Sequence, residues 1–230
     1  MPSNKRPCNK AQTMTIFSKR LLNLLRWLVI GLMGAGALQL AGRIYLFFWP
    51  KPTPLIVAPL LRHRWRLRYR DPEHTLAPLR LHPGMRVLEL GPGVGLFTAC
   101  AARAIAPGGV LLSVDLQRAM LDRLRRDLQH TAASTISLQV GDAQALPIAD
   151  ASVDCAFLIA VLPMIRGRQR ALAELRRVLR PGGLLAVSEE ILAPEYVPPA
   201  LTRYWCQQAG FKALKQVRGR WCYLLTFRRV

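Results

Sequence analysis

The amino-acid sequence predicts an α/β domain with a doubly wound, mostly parallel sheet and an antiparallel C-terminal strand, preceded by a transmembrane or membrane-embedded helix. Three observations lead to this prediction. Short apolar runs alternate with amphipathic stretches over residues 71–230, which is typical of β-α-β units around a parallel sheet. A glycine-rich turn, GPGVG, follows the first of these runs at residues 91–95. An apolar segment of membrane-spanning length lies at residues 27–49.

The chain is strongly basic, with 33 Lys and Arg against 13 Asp and Glu among 230 residues and a formal net charge of +20. A charge of this size indicates a polyanionic neighbour, either nucleic acid or an anionic membrane surface. Composition alone does not choose between the two. Because 51% of the residues are apolar, the chain can also bury a packed core.

The cysteines argue against a metal site. They are odd in number and widely spaced, and no pair has the CxxC spacing of a zinc site or a redox dithiol. The five are Cys8, Cys100, Cys155, Cys206 and Cys222. The sequence therefore predicts no bound metal, and the pattern fits a reducing compartment.

The chain divides into four predicted parts. A basic tail (residues 1–20) precedes a membrane helix (21–50), a proline-rich and basic juxtamembrane linker (51–70) and a globular domain (71–230). Residues 27–49 are 23 residues with one Gln and one Arg, close to the roughly 20 that cross a bilayer as a helix. Trp27 lies at one end, and Tyr45 and Trp49 lie at the other, where aromatic rings prefer the membrane interface. A signal peptide, a buried core helix and a hairpin within one leaflet are the alternatives.

The linker has two interpretations. Its first half, KPTPLIVAPL, is rich in proline and predicts an extended segment. Its second half, LRHRWRLRYR, interleaves arginines with apolar and aromatic residues. Beside a bilayer, the arginines would meet lipid phosphates while Trp65 and Tyr69 sit at the interface. Alternatively, the stretch is a solvated basic helix that covers the entrance of the domain, and both can hold together.

The periodicity of the domain gives each element in order. The predicted strands are MRVLEL, VLLSVD, ISLQVGD, VDCAFLIAVLP, LLAVSEE and two within KALKQVRGRWCYLLTFRR. The predicted helices are LFTACAARAIA, QRAMLDRLRRDLQHT, RGRQRALAELRRVLR, which PGG stops, and LTRYWCQQAGF. Strands and helices thus alternate up to the last two strands.

The glycine turn predicts a ligand site at the carboxyl ends of the strands. Its spacing is G-x-G-x-G and not the G-x-G-x-x-G of dinucleotide-binding turns. Glu89 precedes the turn, and its carboxylate would repel a pyrophosphate but suit an amine. Asp115 ends the second strand, where an acid usually binds the hydroxyls of a ribose. Asp142, after the third strand, suits an exocyclic amine of a base, and the three acids together describe S-adenosylmethionine.

Each of these residues also has a structural interpretation. Glu89 could cap the following helix, and Gly91 could permit close packing of helix on strand. Asp115 could be an N-cap for a helix that starts at Gln117, and Asp142 could cap a turn.

Four motifs in order resemble those of the class I S-adenosylmethionine-dependent methyltransferases: VLELGPGVG, VDLQ, GDAQALPIADASVDCAFLIAVLPMI and ELRRVLRPGGLLAVSEE. They are most similar to the subgroup that methylates small molecules, quinones and lipids, and the resemblance covers residues 81–229. It implies a Rossmann-like methyltransferase sheet with S-adenosyl-L-methionine as the cofactor. The residues it implies at the cofactor are Glu89, Gly91, Pro92, Gly93, Gly95, Asp115, Leu116, Asp142, Ala143, Ile159 and Ala160.

Within that set the resemblance implies distinct roles. The glycines would line the methionine part with support from Glu89. Asp115 would take the ribose hydroxyls and Leu116 would pack on the adenine. Asp142 and Ala143 would face the adenine edge, while Ile159 and Ala160 would flank the cofactor.

No catalytic residue is identified by the sequence. The N-P-P-Y-type signature is replaced by the apolar AVLPMI after the fourth strand, which favours an apolar or amphiphilic acceptor over a nucleobase. Glu189 and Glu190 end the fifth strand, where at most one can point into the cleft, and a solvated strand end is the favoured interpretation. His63, His74 and His82 could belong to a lid, although His82 fits a turn better.

The anchor and the basic linker favour a membrane-resident acceptor, such as a quinone precursor or a lipid, with the bilayer itself as a partner. Basic residues flank the apolar segment on both sides, so charge does not decide the orientation, and a start at Met14 instead of Met1 would change the balance. Because S-adenosylmethionine is cytosolic, the domain is predicted to face the cytoplasm. The rivals are a nucleic-acid or protein methyltransferase, a noncatalytic membrane-anchored cofactor-binding protein and, weakest, a nicotinamide-dependent oxidoreductase.

Overall fold

In the computed structural model the chain is described over residues 10–57, 61, 63–128 and 135–230, with side chains from Asn23 onward apart from those of Leu24 and Leu55. Residues 1–9 of the predicted basic tail and residues 129–131 of a predicted helix lie outside this range. The chain divides into two compact units, one that ends at Ile44 and one that runs over Tyr45–Val230.

The first helix, α1 (Lys10–Phe48), contains the predicted apolar segment. Among the described residues, it is the one helix long and apolar enough to cross a membrane, over the 24 residues Leu25–Phe48. This stretch rises roughly 36 Å, against about 30 Å for the hydrocarbon core of a bilayer. None of its most apolar window is buried. The predicted apolar helix is therefore present, with its large side chains exposed.

The described part of Tyr45–Val230 alternates strands and helices as predicted. Its strands are β1 (Arg86–Leu90), β2 (Val110–Asp115), β3 (Ile136–Val140), β4 (Val153–Ile159), β5 (Leu179–Glu190), β6 (Phe211–Arg218) and β7 (Cys222–Arg229). Its helices are α2 (Arg64–Tyr69), α3 (Pro72–Leu76), α4 (Thr98–Ile105), α5 (Arg118–Asp127), α6 (Arg168–Val178) and α7 (Pro199–Gln208). Short 3-10 helices cover Leu55–Val57, Ala77–Leu79 and Leu162–Met164.

The strands form one seven-stranded sheet in the order β3-β2-β1-β4-β5-β7-β6. β1 pairs in parallel with β2 and β4, and the parallel register continues to β3 and β5. β7 runs antiparallel to β5 and to β6. The predicted mostly parallel sheet with antiparallel C-terminal pairing is thus confirmed. The strand order reverses between β1 and β4, and in such sheets ligands bind outside the carboxyl ends of the strands at this switch point.

Apolar side chains cover both faces of the sheet, as a doubly wound fold requires. Alternate residues of β1 point to opposite faces, so that Val87 joins one buried cluster while Leu88 and Leu90 join the other. The first cluster includes the inner side of α4 and the second includes the inner side of α6. This two-sided packing fixes the strand ends that carry the site.

Several element boundaries differ from the prediction by a few residues, and two of these differences have a clear physical reason. α4 begins at Thr98 rather than at Leu96, because the backbone still turns after the glycines and Gly95 N–H donates to Pro92 O at 2.9 Å. The PGG segment predicted to end α6 lies inside β5. Gly182 has a φ of +77° there, and the β4–β5 register shifts at the same place, so the segment forms an irregular strand start rather than a loop.

Candidate functional site

A cavity of about 690 Å³ opens at the carboxyl ends of β1, β2 and β4, within the range of about 300–1,000 Å³ usual for small-molecule sites. Ten of the eleven residues that the sequence placed at the cofactor line its wall. They are Glu89, Gly91, Pro92, Gly93, Asp115, Leu116, Asp142, Ala143, Ile159 and Ala160. The eleventh, Gly95, is not among the lining residues. The topology therefore brings residues from the carboxyl ends of four strands, β1 to β4, to one cavity.

The three glycines of the turn have different tasks, although all have a positive φ. A Cβ on Gly91 would lie 2.6 Å from Val161 Cγ2, and one on Gly95 would collide with Leu124 Cδ1. At both positions glycine permits packing. A Cβ on Gly93 would meet nothing within 4 Å, so its open side faces the cavity. Gly93 is therefore the glycine whose backbone a ligand can approach.

Glu89 lies beneath the turn and is only 2% exposed. Its Oε2 accepts hydrogen bonds from Thr98 Oγ1 at 2.7 Å and from Ser113 Oγ at 2.8 Å. Burial raises the pKa of Glu89 to about 7; the two hydroxyl donors lower it and the charge of Asp115 raises it further. The carboxyl thus ties β1 to β2 and to the first residue of α4 while it faces the cavity.

This buried carboxyl predicts an unusual pH dependence. Because the pKa of Glu89 is higher in the folded chain, the folded state binds its proton more tightly than the unfolded state between pH 4.5 and about 7. Its contribution to stability is present below that window and falls as the pH rises through it. Glu89→Gln removes this titration. Relative to the unsubstituted chain, its free energy of unfolding should therefore rise by up to about 3 kcal/mol between pH 4.5 and pH 8. Unfolding free energies measured across this range check the prediction, and parallel curves for the two chains would contradict it.

Asp115 ends β2, lines the cavity and makes a structural hydrogen bond. Its Oδ1 accepts the backbone N–H of Gln117 at 2.9 Å, which shapes the entry to α5. Burial raises the pKa of Asp115, while backbone N–H groups of Gln117, Gly93 and Leu116 lower it. The N-cap interpretation of Asp115 was wrong, since α5 begins at Arg118 with Gln117 as its N-cap; the carboxylate of Asp115 shapes the turn before the helix and also lines the cavity. Next to it, Leu116 is 60% exposed and forms an apolar platform at the rim.

The remaining predicted positions form the opposite side of the wall. Asp142 Oδ1 accepts Gln144 N–H at 2.9 Å, so this exposed acid caps a turn as the structural alternative proposed. Ile159 ends β4, and Ala160, which follows it, has a φ of +56°. Its N–H donates to Ser188 O at 2.7 Å and holds this left-handed conformation. Left-handed backbone in a non-glycine residue is rare and concentrates at functional sites.

The end of β5 corrects one prediction. Glu189 and Glu190 are 1% and 5% exposed, so the favoured interpretation of a solvated strand end was wrong. Glu190 lines the cavity, whereas Glu189 does not, in agreement with the expected alternation. Burial raises the pKa of Glu189 well above its usual range, and the charge of Arg70 lowers it only in part.

Glu190 is paired with α2 and the residue that follows it. Arg66 Nη2 lies 2.5 Å from its Oε1, Arg70 Nε lies 3.1 Å from the same atom, and Tyr69 Oη donates to Oε2 at 3.2 Å. Burial alone would raise the pKa of Glu190, but the Arg66 hydrogen bond and the charges of both arginines together lower it. An ion-paired carboxylate with a lowered pKa is a poor general base. Its role is to hold α2 over the cavity.

Sequence reasoning missed the part of the wall that the linker supplies. Residues 50–54 line the cavity directly. Gln117 Nε2 donates to Thr53 O at 3.1 Å, and Thr53 Oγ1 donates to Met164 Sδ at 3.3 Å. The segment predicted as a spacer thus lies across the cavity near Asp115. Its alternating prolines were the available signal, because they favour an extended strap that cannot pair as a strand.

The histidines divide as follows. His63 lines the cavity, and its Nδ1 accepts Trp65 N–H at 3.3 Å. His74 pairs with Asp71, and His82 Nδ1 contacts Pro83 O in a turn, as the sequence suggested for His82. Among the residues that the structure describes, no group of three or more His, Cys, Asp or Glu side chains could hold a metal.

Comparison with known proteins defines the family. Residues 88–187 match the family model described as a methyltransferase domain, over the stretch that builds β1 to β5. The chain contains a class I S-adenosylmethionine-dependent methyltransferase domain. The sequence is 35% identical over 127 residues to a ubiquinone/menaquinone biosynthesis C-methyltransferase of Bordetella avium, covering 53% of this chain and 49% of that protein.

Two further comparisons agree with this family. The chain is 42% identical over 106 residues to a malonyl-[acyl-carrier protein] O-methyltransferase of Methylococcus capsulatus, which covers 46% of this chain and 38% of that protein. A SAM-dependent methyltransferase of Aquifex aeolicus shares the fold with a TM-score of 0.74 at 21% identity, over 78% of this chain and all of that one. The chain spans less than half the length of the curated relatives it matches.

The cavity fits the cofactor of this methyltransferase family, S-adenosylmethionine. The unfilled space over Gly93, where a Cβ would meet nothing, gives room for a ligand against the backbone. The carboxyl groups of Glu89 and Asp115 line the cavity beside it. The Lys and Arg residues of the lining come from other segments: Lys51, Arg66 and Arg166. A cation with ribose hydroxyls suits this donor and acceptor set better than a pyrophosphate.

The different tasks of the glycines predict different effects of substitution. Gly93→Ala places a methyl group in open space at a cost of about 1 kcal/mol for the left-handed conformation. We therefore expect it to fold but to bind S-adenosylmethionine at least about tenfold more weakly, measured by calorimetry. Gly182→Ala is the matched control, since Gly182 also has a positive φ and open space but lies away from the cavity. Equal binding by the two variants would show that Gly93 does not face the cofactor.

Proposed function

We propose that this protein transfers the methyl group of S-adenosylmethionine to a small apolar or amphiphilic acceptor resident in the membrane, such as a quinone precursor or a lipid. The observation that carries the proposal is the wall of the cavity beyond the glycine turn. It is formed by apolar side chains that face the space next to the predicted cofactor position: Trp65, Val161, Met164, Ile165 and Leu192. An apolar wall selects an apolar acceptor.

The relatives support the size of this acceptor. One is named a ubiquinone/menaquinone biosynthesis C-methyltransferase and another a malonyl-[acyl-carrier protein] O-methyltransferase. By their names, these proteins act on a quinone precursor and on an acyl group carried by a protein. A malonyl group is short and polar, so the names support a small accepting group, while the apolar character of the proposed acceptor rests on the cavity wall described above.

The residues of this chain would act mainly by position. When bound, S-adenosylmethionine supplies a methyl group that its sulfonium already makes electrophilic. Asp115 and the backbone at Gly93 would hold the cofactor, and residues 50–54 with α2 would exclude water from it. Glu190 is engaged with Arg66 and Arg70, so the proposal assigns it no proton transfer. The acceptor would therefore need little help from a side-chain base.

The apolar helix gives the proposed location. Leu25–Phe48 would anchor the chain in a membrane, with the methyltransferase domain on the cytoplasmic side, where S-adenosylmethionine is available. An anchored enzyme meets acceptors that are already concentrated in the bilayer. This reasoning rests on the length and composition of the helix together with the cytosolic supply of the cofactor.

The proposal is tested with the full chain in lipid nanodiscs. The protein is incubated with S-adenosylmethionine labelled in its methyl group and with a total membrane lipid extract, and the products are separated into lipid, protein and nucleic-acid fractions. Label in the lipid fraction, lost in Gly93→Ala and kept in Gly182→Ala, supports the proposal. Label found only in protein or nucleic acid contradicts it.

The net charge of +20 supports a second candidate, a nucleic-acid or protein methyltransferase recruited through its basic surface. Edge strand β6 carries exposed Lys212, Lys215 and Arg218. The same fractionation separates this candidate from the first. RNA binding that weakens steeply with salt and label in the RNA fraction would favour it.

A further inference from the structure

The rim of the cavity exposes apolar and basic side chains from three segments that are far apart in the sequence. α2 contributes Trp65, which is 52% exposed, and the segment after β5 contributes Ile191 and Leu192 at 38% and 40%. The β6–β7 turn contributes Trp221 at 37%. Large apolar residues exposed side by side, next to arginines, are unusual on a soluble surface and mark a binding site.

Hydrogen bonds and strand register place these segments side by side. Ile191 N–H donates to Trp221 O at 2.9 Å, and Glu190 faces Cys222 in the β5–β7 pairing. Cys222 Sγ lies 3.7 Å from Tyr69 O at the end of α2. Since β7 begins where β5 ends, the β6–β7 turn lies at the carboxyl edge of the sheet, the edge on which the cavity opens.

The arginines of α2, together with Arg70 just after it, lie on two different sides of the helix and are spaced by four residues on each side. Arg66 and Arg70 point inward to Glu190, and Arg70 is 1% exposed. Tyr69, predicted to sit at a membrane interface, also points inward to Glu190. Arg64 and Arg68 are exposed on the other side, with Leu67 between them. The buried pair thus fixes the helix so that its other side faces outward.

The β6–β7 turn adds charge to this rim. Arg218, the last residue of β6, and Arg220, within the turn, are both exposed. The guanidinium of Arg220 lies 5.8 Å from the centre of the Trp221 ring. Arg68 and Arg218 line one smaller cleft of about 250 Å³ between α2 and the turn. Four arginines therefore surround the exposed apolar side chains. Of the carboxylates close to these arginines, Glu190 is already paired with Arg66 and Arg70, and Asp71, which lines the same small cleft, accepts the backbone N–H of His74.

We propose that this rim, formed by α2, residues 191–192 and the β6–β7 turn, docks on the surface of an anionic lipid bilayer. The arginines would meet lipid phosphates while Trp65, Leu192 and Trp221 enter the interface. The acceptor opening of the cavity would then face the lipid phase, because Trp65 and Leu192 line that opening. This inference deepens the proposed function and rests on it for the identity of the acceptor.

Charge and shape together favour a bilayer over RNA at this rim. Both partners are polyanionic and would attract the arginines. Aliphatic side chains such as Ile191 and Leu192 gain little from a nucleic acid, whereas a lipid interface buries them. Aromatic residues with arginine beside them are also typical of membrane interfaces. If the chain's own apolar helix is inserted in a bilayer, the rim meets that bilayer surface at a high effective concentration.

The test uses the full chain labelled with 5-fluorotryptophan in nanodiscs that carry headgroup spin-labelled lipid. Each of the five tryptophans gives a fluorine resonance, assigned by single Trp→Phe substitutions. In nanodiscs of phosphatidylglycerol and phosphatidylcholine, we expect the Trp65 and Trp221 resonances to broaden. Trp205 stacks on Phe47 near the end of α1, with 6.4 Å between the ring centroids, so its broadening should be the same with and without anionic lipid and serves as the reference. In phosphatidylcholine alone, the broadening of Trp65 and Trp221 should be much weaker.

Paired variants separate a docking surface from diffuse attraction. Arg218→Gln with Arg220→Gln should lower the docking equilibrium constant roughly 25-fold, at about a fivefold loss per arginine. Arg125→Gln with Arg126→Gln is the matched control. These residues end α5, which runs back from the carboxyl edge to the opposite edge of the sheet, and they should have no effect.

Several outcomes would overturn the inference. They are sharp Trp65 and Trp221 resonances in anionic nanodiscs, equal effects of the two arginine pairs, or a response of Trp65 and Trp221 to added RNA but not to lipid. Failure of the proposed function is distinguishable from these outcomes. If the Trp65 and Trp221 resonances broaden as expected but no label enters the lipid fraction, the membrane acceptor is rejected and the docking surface is retained.

Discussion

Replacing Glu190 by Gln is expected to lower the free energy of unfolding by about 3 to 5 kcal/mol, one of the two largest effects we expect of any single change. The carboxylate is 5% exposed and neutralises two guanidinium groups, of which Arg70 is 1% exposed. Gln keeps the shape of the side chain but leaves two positive charges with no negative partner. For a domain of this size, such a loss lowers the melting temperature by roughly 10 °C.

The pH dependence of this substitution has the opposite sign to that of Glu89. The pKa of Glu190 is lowered in the folded chain, so its contribution to stability is present above the ordinary value of 4.5 and is lost as the pH falls below it. We therefore expect the difference between Glu190→Gln and the unsubstituted chain to be largest at neutral pH and to shrink in acid. Thermal unfolding of the full chain in nanodiscs at several pH values measures it.

A surface ion pair with the same separation provides the control. Arg177 Nη1 and Asp150 Oδ1 also lie 2.5 Å apart, but the Asp150 side chain is 76% exposed. Asp150→Asn should therefore cost less than about 1 kcal/mol. A double variant, Glu190→Gln with Arg70→Met, should recover part of the loss because it removes one of the uncompensated charges. Equal effects of Glu190→Gln and Asp150→Asn would show that burial does not strengthen the Glu190 cluster.

The ion pairs of Glu190 with Arg66 and Arg70 show why the sequence predicted the strands more accurately than the side-chain contacts at the strand ends. The apolar runs that became β1 to β5 carry their own signal, since each buried strand is apolar along its length. Glu190 carries no such signal. Its partners Arg66 and Arg70 lie 124 and 120 residues away, in a segment interpreted as facing lipid phosphates. Only the fold brings the three together, and a carboxyl at a strand end looks solvated without it.

The glycine turn shows the same division. Its spacing predicted the position of the cavity, because a strand followed by glycines and a helix is a local pattern. The separate tasks of Gly91, Gly93 and Gly95 depend on Val161 and Leu124, which belong to other elements. The strap at residues 50–54 and the insertion of β7 between β5 and β6 are likewise tertiary. Sequence patterns thus locate the site, while contacts between distant elements decide what each residue does there.

Asp115 carries the second large prediction, because it joins a structural hydrogen bond to a cavity wall. We expect Asp115→Ala to weaken S-adenosylmethionine binding by about 4 kcal/mol, or roughly 1,000-fold. This is the loss of about two hydrogen bonds between a carboxylate and ribose hydroxyls. Calorimetric titration of the full chain with the cofactor measures it directly.

Asp115→Asn separates the two roles of this residue. The amide oxygen can still accept Gln117 N–H, now 2.9 Å from Oδ1, so the turn into α5 should persist. Only the negative charge is lost. We expect this variant to keep its melting temperature and still to bind the cofactor at least about tenfold more weakly. Asp122→Asn on α5 makes the same change of net charge outside the cavity and should bind normally.

The pattern of these three variants distinguishes a cap from a binding residue. If Asp115 served only the backbone of α5, Asp115→Asn would bind like the unsubstituted chain, and Asp115→Ala would lose stability and affinity together. If it binds the ribose, affinity falls in both variants while stability falls in Asp115→Ala alone. Gly93 contributes by leaving space for the cofactor, and Asp115 contributes by its charge. The double variant Gly93→Ala with Asp115→Asn should therefore bind S-adenosylmethionine more weakly than either single variant. A double variant no weaker than Asp115→Asn would mean that the two residues act as one unit, through the backbone N–H of Gly93 that Asp115 accepts.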